Sequence, residues 1–149
     1  MHLKNSIISK PKKKMKKLLS TKYSSGAFST AMLILRLGAG ILMLMHGYDK
    51  LIHFGDKQPT FINFLGIGST MSLALVVFAE FFCSLFLILG LFTRLATIPL
   101  IIVTCVIIFK INKGDVFGDG EEAALYLTGY IVLLLVGPGR VSVDSMIGK

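Results

Sequence analysis

The sequence predicts an all-α fold: an integral membrane four-helix bundle with short loops and a partly apolar outer loop between helices 1 and 2. Three observations carry that prediction. Hydrophobic residues make up 54% of the 149-residue chain and charged residues only 16%, against about a quarter in soluble domains, and the mean hydropathy is +0.76. Four apolar runs, 27–45, 71–92, 95–109 and 123–136, carry at most one charge each. The cations gather outside them, with Lys4, Lys10, Lys12, Lys13, Lys14, Lys16, Lys17 and Lys22 all ahead of the first run.

Three units follow: a basic arm over 1–25, a four-helix membrane domain over 26–144 and a short tail over 145–149. Pro11 and the lysine run argue against a packed core in the arm, which is expected to be disordered. The net charge of +8 is concentrated there, beside a membrane helix, so it reads as an anchor attracted to anionic lipid and not as a nucleic-acid surface. The first run is longer than the apolar part of a signal peptide and no small-x-small site follows it, so it is read as a retained span.

Between 48 and 70 the chain is too polar to span, yet it carries Phe54, Phe61, Ile62, Phe64, Leu65 and Ile67. Such alternation beside a membrane predicts a loop folded onto the bundle mouth, with a short helix around 59–65. The second and third runs are joined only by Thr93-Arg94, so their helices must be antiparallel neighbours. Pro99 is expected in the first turn or so of the third helix, where its missing N–H is not needed. The connection 113–122 is polar, and Gly137-Pro138-Gly139 ends the fourth helix.

Four spans put both termini and the Thr93-Arg94 turn on one side. That side collects the eight lysines of the arm with Arg94, Arg140 and Lys149, whereas the other has Lys50, Lys57, Lys110 and Lys113 set against six acids. The positive-inside rule therefore predicts a multi-pass protein of the bacterial cytoplasmic (inner) membrane with both termini cytoplasmic.

Arg36 and Glu80 are the lone charges of the first two spans. A charge at mid-bilayer is costly by itself, so it is expected to face the bundle and find a partner. Counting from the terminal side puts the two at similar depth, which predicts an intramembrane Arg36–Glu80 ion pair, either locking the helices together or lining a cavity. A second cluster is expected at the outer mouth, where His46, Asp49 and Lys50 meet Glu121 and Glu122, with Tyr126 and Tyr130 deeper on one face. Such a set suits a quinone-like ring or another amphipathic head group, or else forms an interfacial girdle of charges and tyrosines. No metal site is expected, since His46 and His53 lack ligands at helical spacing. Cys83 and Cys105 sit inside apolar runs without a CxxC and read as packing residues. Gly38, Gly40 and Gly47 are expected to let helices approach closely in lipid.

Taken in order, Leu35-Arg36-Leu37-Gly38, His46-Gly47 with Lys50, Glu80, Leu89-Gly90-Leu91-Phe92-Thr93-Arg94-Leu95-Ala96, an acid at Glu121 or Glu122, and Gly137-Pro138-Gly139-Arg140 with Asp144 resemble the DoxX family of small bacterial four-helix membrane proteins. The resemblance runs from Ala27 to Asp144 and leaves out the lysine-rich arm; the family's usual aromatic after Gly-Arg is Val141 here. It implies structural roles for Gly38, Gly47, Gly90, Arg94, Gly137, Pro138, Gly139, Arg140 and Asp144. It also implies a link to quinone or thiol stress and to membrane oxidoreductase complexes, since the family name comes from a subunit associated with a thiosulfate:quinone oxidoreductase. The broader grouping is similar to the eukaryotic surfeit-locus cargo receptors, which are not enzymes.

No flavin or nucleotide motif is present, so any redox role must use a diffusible quinone or a partner's cofactor, with nothing bound covalently. The first expectation is thus a quinone-binding membrane subunit of a redox system, with a membrane or periplasmic oxidoreductase as partner. Arg36, His46, Lys50, Glu80, Glu121, Glu122 and Tyr126 would hold the ligand. The alternative is a non-catalytic scaffold that binds lipid or a partner protein. A proton-coupled transporter is a third reading, which would require an oligomer because four helices show no inverted repeat.

Overall fold

A computed structural model describes residues 20–148. The disorder expected of the arm concerns residues that lie mostly outside this range, and Lys149 of the tail lies outside it too.

Helix α1, Ser25–Ile52, starts where Ser24 Oγ accepts the Ala27 N–H at 3.1 Å and runs well past the predicted end at 45. The polar residues His46, Asp49 and Lys50 mark where the sequence leaves the hydrocarbon, but nothing in them stops a helix, so these three ride on α1 itself. The loop then makes a short helix α2, Phe54–Lys57, and two 3-10 turns, Gln58–Thr60 and Phe64–Gly66. The single short helix expected over 59–65 is not formed. Phe61 is extended and Leu65 sits at φ 52°, so the chain folds back instead of coiling. Ser72 Oγ accepts the Phe64 N–H at 3.0 Å, and Gln58 Nε2 donates to Ser69 Oγ at 3.1 Å, pinning the loop to the helix that follows.

Helix α3, Ser69–Leu89, widens into a π-helical segment over Phe78–Cys83 and stops at Gly90, whose φ of +68° only glycine adopts without strain. Helix α4, Thr93–Ile111, follows almost at once and ends in a second π segment, Ile107–Ile111. Because α4 begins at Thr93, Pro99 lies in its second turn and not in the first as expected. Helix α5, Glu121–Val136, carries two glutamates in its first turn, where the helix dipole favours negative charge. A final short helix α6, Val143–Ile147, closes the described chain.

Among the described residues the fold is a helical bundle in which α1, α3 and α4 are each long and apolar enough to cross a membrane. At 16 residues, or about 24 Å, α5 is shorter than the others and makes its main pairing with α4. Met32, Met43, Cys83, Leu87, Leu100, Tyr130 and Leu133 form the buried centre. Of the glycines expected to bring helices together, two do so. A Cβ at Gly47 would lie 2.5 Å from the Glu80 carbonyl carbon, and one at Gly40 would lie 2.8 Å from Ile88 Cγ1. Gly38 does not share that role: nothing lies within 4 Å of the Cβ it lacks.

The helices define two ends of the bundle. One, the terminal face, holds the Gly90–Phe92 turn and residues 137–147. The other, the loop face, holds residues 53–68 and 112–120.

Candidate functional site

The close contacts at Gly40 and Gly47 fix how α1 and α3 lie alongside each other. Gly40 faces Ser84 and Ile88, and Gly47 faces Glu80 and Phe81. Arg36 is eleven positions below Gly47 on α1, so it sits roughly 16 Å from the level of Glu80.

The predicted Arg36–Glu80 ion pair is therefore not formed. Depth counted from the ends of the apolar runs ignored how far α1 slides toward the terminal face, where its first turns pack beside Gly139. Arg36, only 2% exposed, donates instead to the Pro138 carbonyl at 2.9 Å and the Val141 carbonyl at 2.8 Å. Its guanidinium fills the space left by Gly90, where a Cβ would come within 2.5 Å of Nη1.

Around it the terminal face is latched. Asp144 accepts the Phe92 and Thr93 N–H groups at 2.7 and 2.8 Å, capping α4 from far along the chain, and the Asp144 N–H donates to the Gly90 carbonyl at 2.9 Å. Arg94 donates to the Leu135 carbonyl at 3.2 Å, beside Gly137. Ser145 Oγ donates to the Arg140 carbonyl.

Glu80 finds its counter-ion at the opposite end of α1. It is 1% exposed, and its Oε2 accepts from Lys50 Nζ at 2.7 Å. Two features place it there. Gly47 lets the α1 backbone lie against Glu80 and Phe81, so that Lys50, one turn on, can reach across. The π segment inserts an irregular turn into α3 at Glu80 itself, a distortion that often marks functional positions.

Lys50 and Glu80 stand between two cavities, one almost wholly apolar and one of mixed lining. The larger, about 320 Å³, lies between α3 and α4 under the loop and is otherwise lined by apolar side chains, among them Phe61, Phe64, Val76, Val103 and Ile107, with Ser72 the exception. Leu75 and Ile102 on its rim are 51% and 53% exposed, so it opens sideways onto the surface that would face lipid. The smaller, about 110 Å³, is reached from the loop face and lined by His46, Thr104, Asp119, Glu122 and Tyr126 as well as the pair, with Met43, Ile107 and Ala123 completing its walls. His46 Nε2 lies 3.2 Å from Glu122 Oε1, the His46 ring meets Tyr126 edge-on at 6.4 Å, and Tyr126 stacks on the buried Tyr130 at 6.0 Å.

Of the seven residues expected to hold a ligand, the structure brings Lys50, Glu80, His46, Glu122 and Tyr126 together. Arg36 lies at the far end of the bundle, and Glu121 lines neither cavity. Asp49 belongs to a separate surface cluster with His53, at 3.0 Å, and Lys57. The apolar cavity itself was missed by reasoning from the sequence. Its one legible sign was the run of aromatic residues Phe61 and Phe64 in an otherwise polar loop. No metal-binding cluster occurs among the described residues, and Cys83 and Cys105 are free thiols.

A bundle of apolar helices holding a buried glutamate paired with a half-buried lysine defines an integral membrane protein with an internal polar site. Its family is shown by comparison: the DoxX profile matches residues 31–113, more than half of the chain, and the chain belongs to the DoxX family. It is also 29% identical over 134 residues to an uncharacterized membrane protein of Mycobacterium tuberculosis, an alignment covering 80% of this chain and 82% of that one. No solved structure matches. The family match takes in Arg36, His46, Lys50, Glu80 and the Gly90–Arg94 turn, and stops short of Glu122, Gly137 and Asp144.

Proposed function

We propose that this protein binds a small quinone-like ligand from the bilayer and serves a membrane redox system, with Lys50 and Glu80 meeting the ligand's polar head. The observation that carries this reading is the position of the pair at the inner end of an apolar cavity that opens toward lipid. A volume of about 320 Å³ falls at the lower end of the range of ligand pockets, about 300–1,000 Å³, and suits a single ring with the first part of its tail. The fit is chemical as well as spatial. Lys50 Nζ uses one donor on Glu80 and has others to offer a quinone carbonyl, while the apolar walls accept the ring and chain.

Electrons would have to come from a partner, a membrane or periplasmic oxidoreductase, since the chain carries no cofactor motif of its own. Placing both termini in the cytoplasm follows the positive-inside rule and would put the loop face outside. Arg36 is assigned to assembly and not to the ligand, because it holds the 138 and 141 carbonyls and lines neither cavity. For the polar residues of the terminal face this favours the scaffold reading.

Titration of decylubiquinone into the protein in nanodiscs tests the proposal. Saturable binding is expected, weakened about tenfold or more by Glu80→Gln, the loss of one charged hydrogen-bonding group, and by Val76→Phe, which fills the cavity. Binding that is non-saturable, or indifferent to both substitutions, would remove the quinone reading and leave the scaffold.

A further inference from the structure

The two cavities share the Lys50–Glu80 pair, and they differ in what else surrounds it. On the lipid side the walls are almost wholly apolar; on the loop side carboxylates, an imidazole and a phenol stand among Met43, Ile107 and Ala123. A space of about 110 Å³ has room for about three waters at about 30 Å³ each, and the polar groups in this lining offer them hydrogen-bond partners. Its mouth reaches solvent, since the side chains of His46 and Glu122 are 49% and 68% exposed. At its floor Glu80 has one oxygen on Lys50, while its Oε1 accepts no hydrogen bond from any described residue. A carboxylate oxygen without a protein donor, lining a cavity that opens to solvent, takes its hydrogen bond from water.

We infer that the smaller cavity is a hydrated vestibule through which Glu80 exchanges protons with the aqueous phase at the loop face, so that the hydroquinone form of the ligand, which carries the acidic hydroxyls a quinone lacks, can be deprotonated in the apolar cavity. The ligand part of this rests on the binding proposed above. The ligand's O–H bond breaks and its proton passes to the Glu80 carboxylate, which becomes a carboxylic acid. The new oxyanion pairs with the Lys50 ammonium. Glu80 then gives the proton to water in the vestibule, with His46 and Glu122 as the next acceptors outward, and returns to its carboxylate. No electron moves in these steps, and the pair is restored.

The charged and titratable groups near Glu80 come from several elements: Lys50 and His46 from α1, Lys57 from α2, Asp119 from the 112–120 connection, and Glu122, Tyr126 and Tyr130 from α5. From α4 the vestibule sees Thr104, whose hydroxyl is already turned onto the Leu100 and Ile101 carbonyls at 2.9 Å. Intramembrane carboxylates reached by water in this way are the usual components of proton relays.

The test uses the full chain in nanodiscs with Cys83→Ala, Cys105→Ala and Ala123→Cys, and a charged, membrane-impermeant methanethiosulfonate as probe. The vestibule predicts rapid modification of the new thiol, against none for Leu100→Cys in the dry core. Infrared difference spectra over a pH series read Glu80 directly. A carboxyl band that is absent in Glu80→Gln is expected to titrate and to shift in D₂O, and its exchange is expected to be lost once the reagent plugs position 123. An unreactive thiol at 123, or a Glu80 band that neither titrates nor exchanges, overturns the vestibule. Decylubiquinone binding is measured on the same wild-type preparation. Its failure with a reactive thiol and a titrating band would remove the quinone reading while the vestibule stands, and the converse result would do the opposite.

Discussion

Removing Lys50 should expose how much the bundle depends on it. Glu80 is 1% exposed and its Lys50 partner sits 2.7 Å away, so Lys50→Met leaves a carboxylate in the protein interior without its counter-ion. Breaking a buried pair in this way costs about 3–5 kcal/mol. The side chain of Lys50 is itself 23% exposed, and Glu80 can relieve the loss by taking a proton, so the lower end applies. About 3 kcal/mol corresponds to roughly two orders of magnitude in the unfolding equilibrium. Glu80→Gln should cost less, about 1 kcal/mol, because Lys50 can swing toward water while the amide keeps the volume. The double variant Lys50→Met, Glu80→Gln buries no charge and should recover most of the loss, costing about 1 kcal/mol and giving a coupling of about 3 kcal/mol. Equilibrium unfolding in mixed detergent and SDS micelles measures this, with the reactivity of the buried Cys83 thiol as the readout. Additive effects, with a coupling below about 0.5 kcal/mol, would refute the reasoning, because two groups in a shared desolvated contact cannot act independently.

Three further outcomes follow from the packing and the latch. Gly47→Ala should destabilise by about 1–3 kcal/mol, since its Cβ would fall on the Glu80–Phe81 backbone, whereas Gly38→Ala, with open space around it, should be neutral or stabilising by up to about 1 kcal/mol; the same unfolding assay compares them. Asp144→Ala removes the acceptor for two backbone N–H groups at the start of α4 and should cost about 2 kcal/mol, seen as faster hydrogen exchange at Phe92 and Thr93. Arg36→Met strands the 138 and 141 carbonyls and should lower folded yield, yet the decylubiquinone affinity of the protein that folds should match wild type; a lost affinity at normal yield would return Arg36 to the ligand site.

The fold was legible because lipid imposes a simple rule on sequence: apolar runs of spanning length, with the polar residues between them. Composition carried the class, and the two-residue link at Thr93-Arg94 carried the pairing of α3 with α4. The site was half legible. His46, Lys50, Glu80, Glu122 and Tyr126 stood out as charged or amphipathic residues in or beside apolar runs, and they do converge. Their pairing was not legible, because it depends on the axial offset between α1 and α3. That offset is set by Gly40 and Gly47 fitting against α3, a matter of surface shape that hydropathy does not record. The same offset carries Arg36 to the terminal face. The apolar cavity escaped notice for a related reason: its walls are valines, isoleucines and phenylalanines that look like any other lipid-facing or core residue until the loop closes over them. The π segments at 78–83 and 107–111, which flank it, leave no mark in composition at all.

Photoaffinity labelling with an azidoquinone, in nanodiscs and with peptide mapping, tests most directly the claim that the cavity beside Lys50 and Glu80 is where the protein meets its ligand. Label confined to peptides bearing Phe61–Phe64, Val76 or Val103–Ile107, and competed away by decylubiquinone, is the predicted result. Label spread evenly over the lipid-exposed surfaces, or concentrated at Arg36 and residues 137–147, would contradict it.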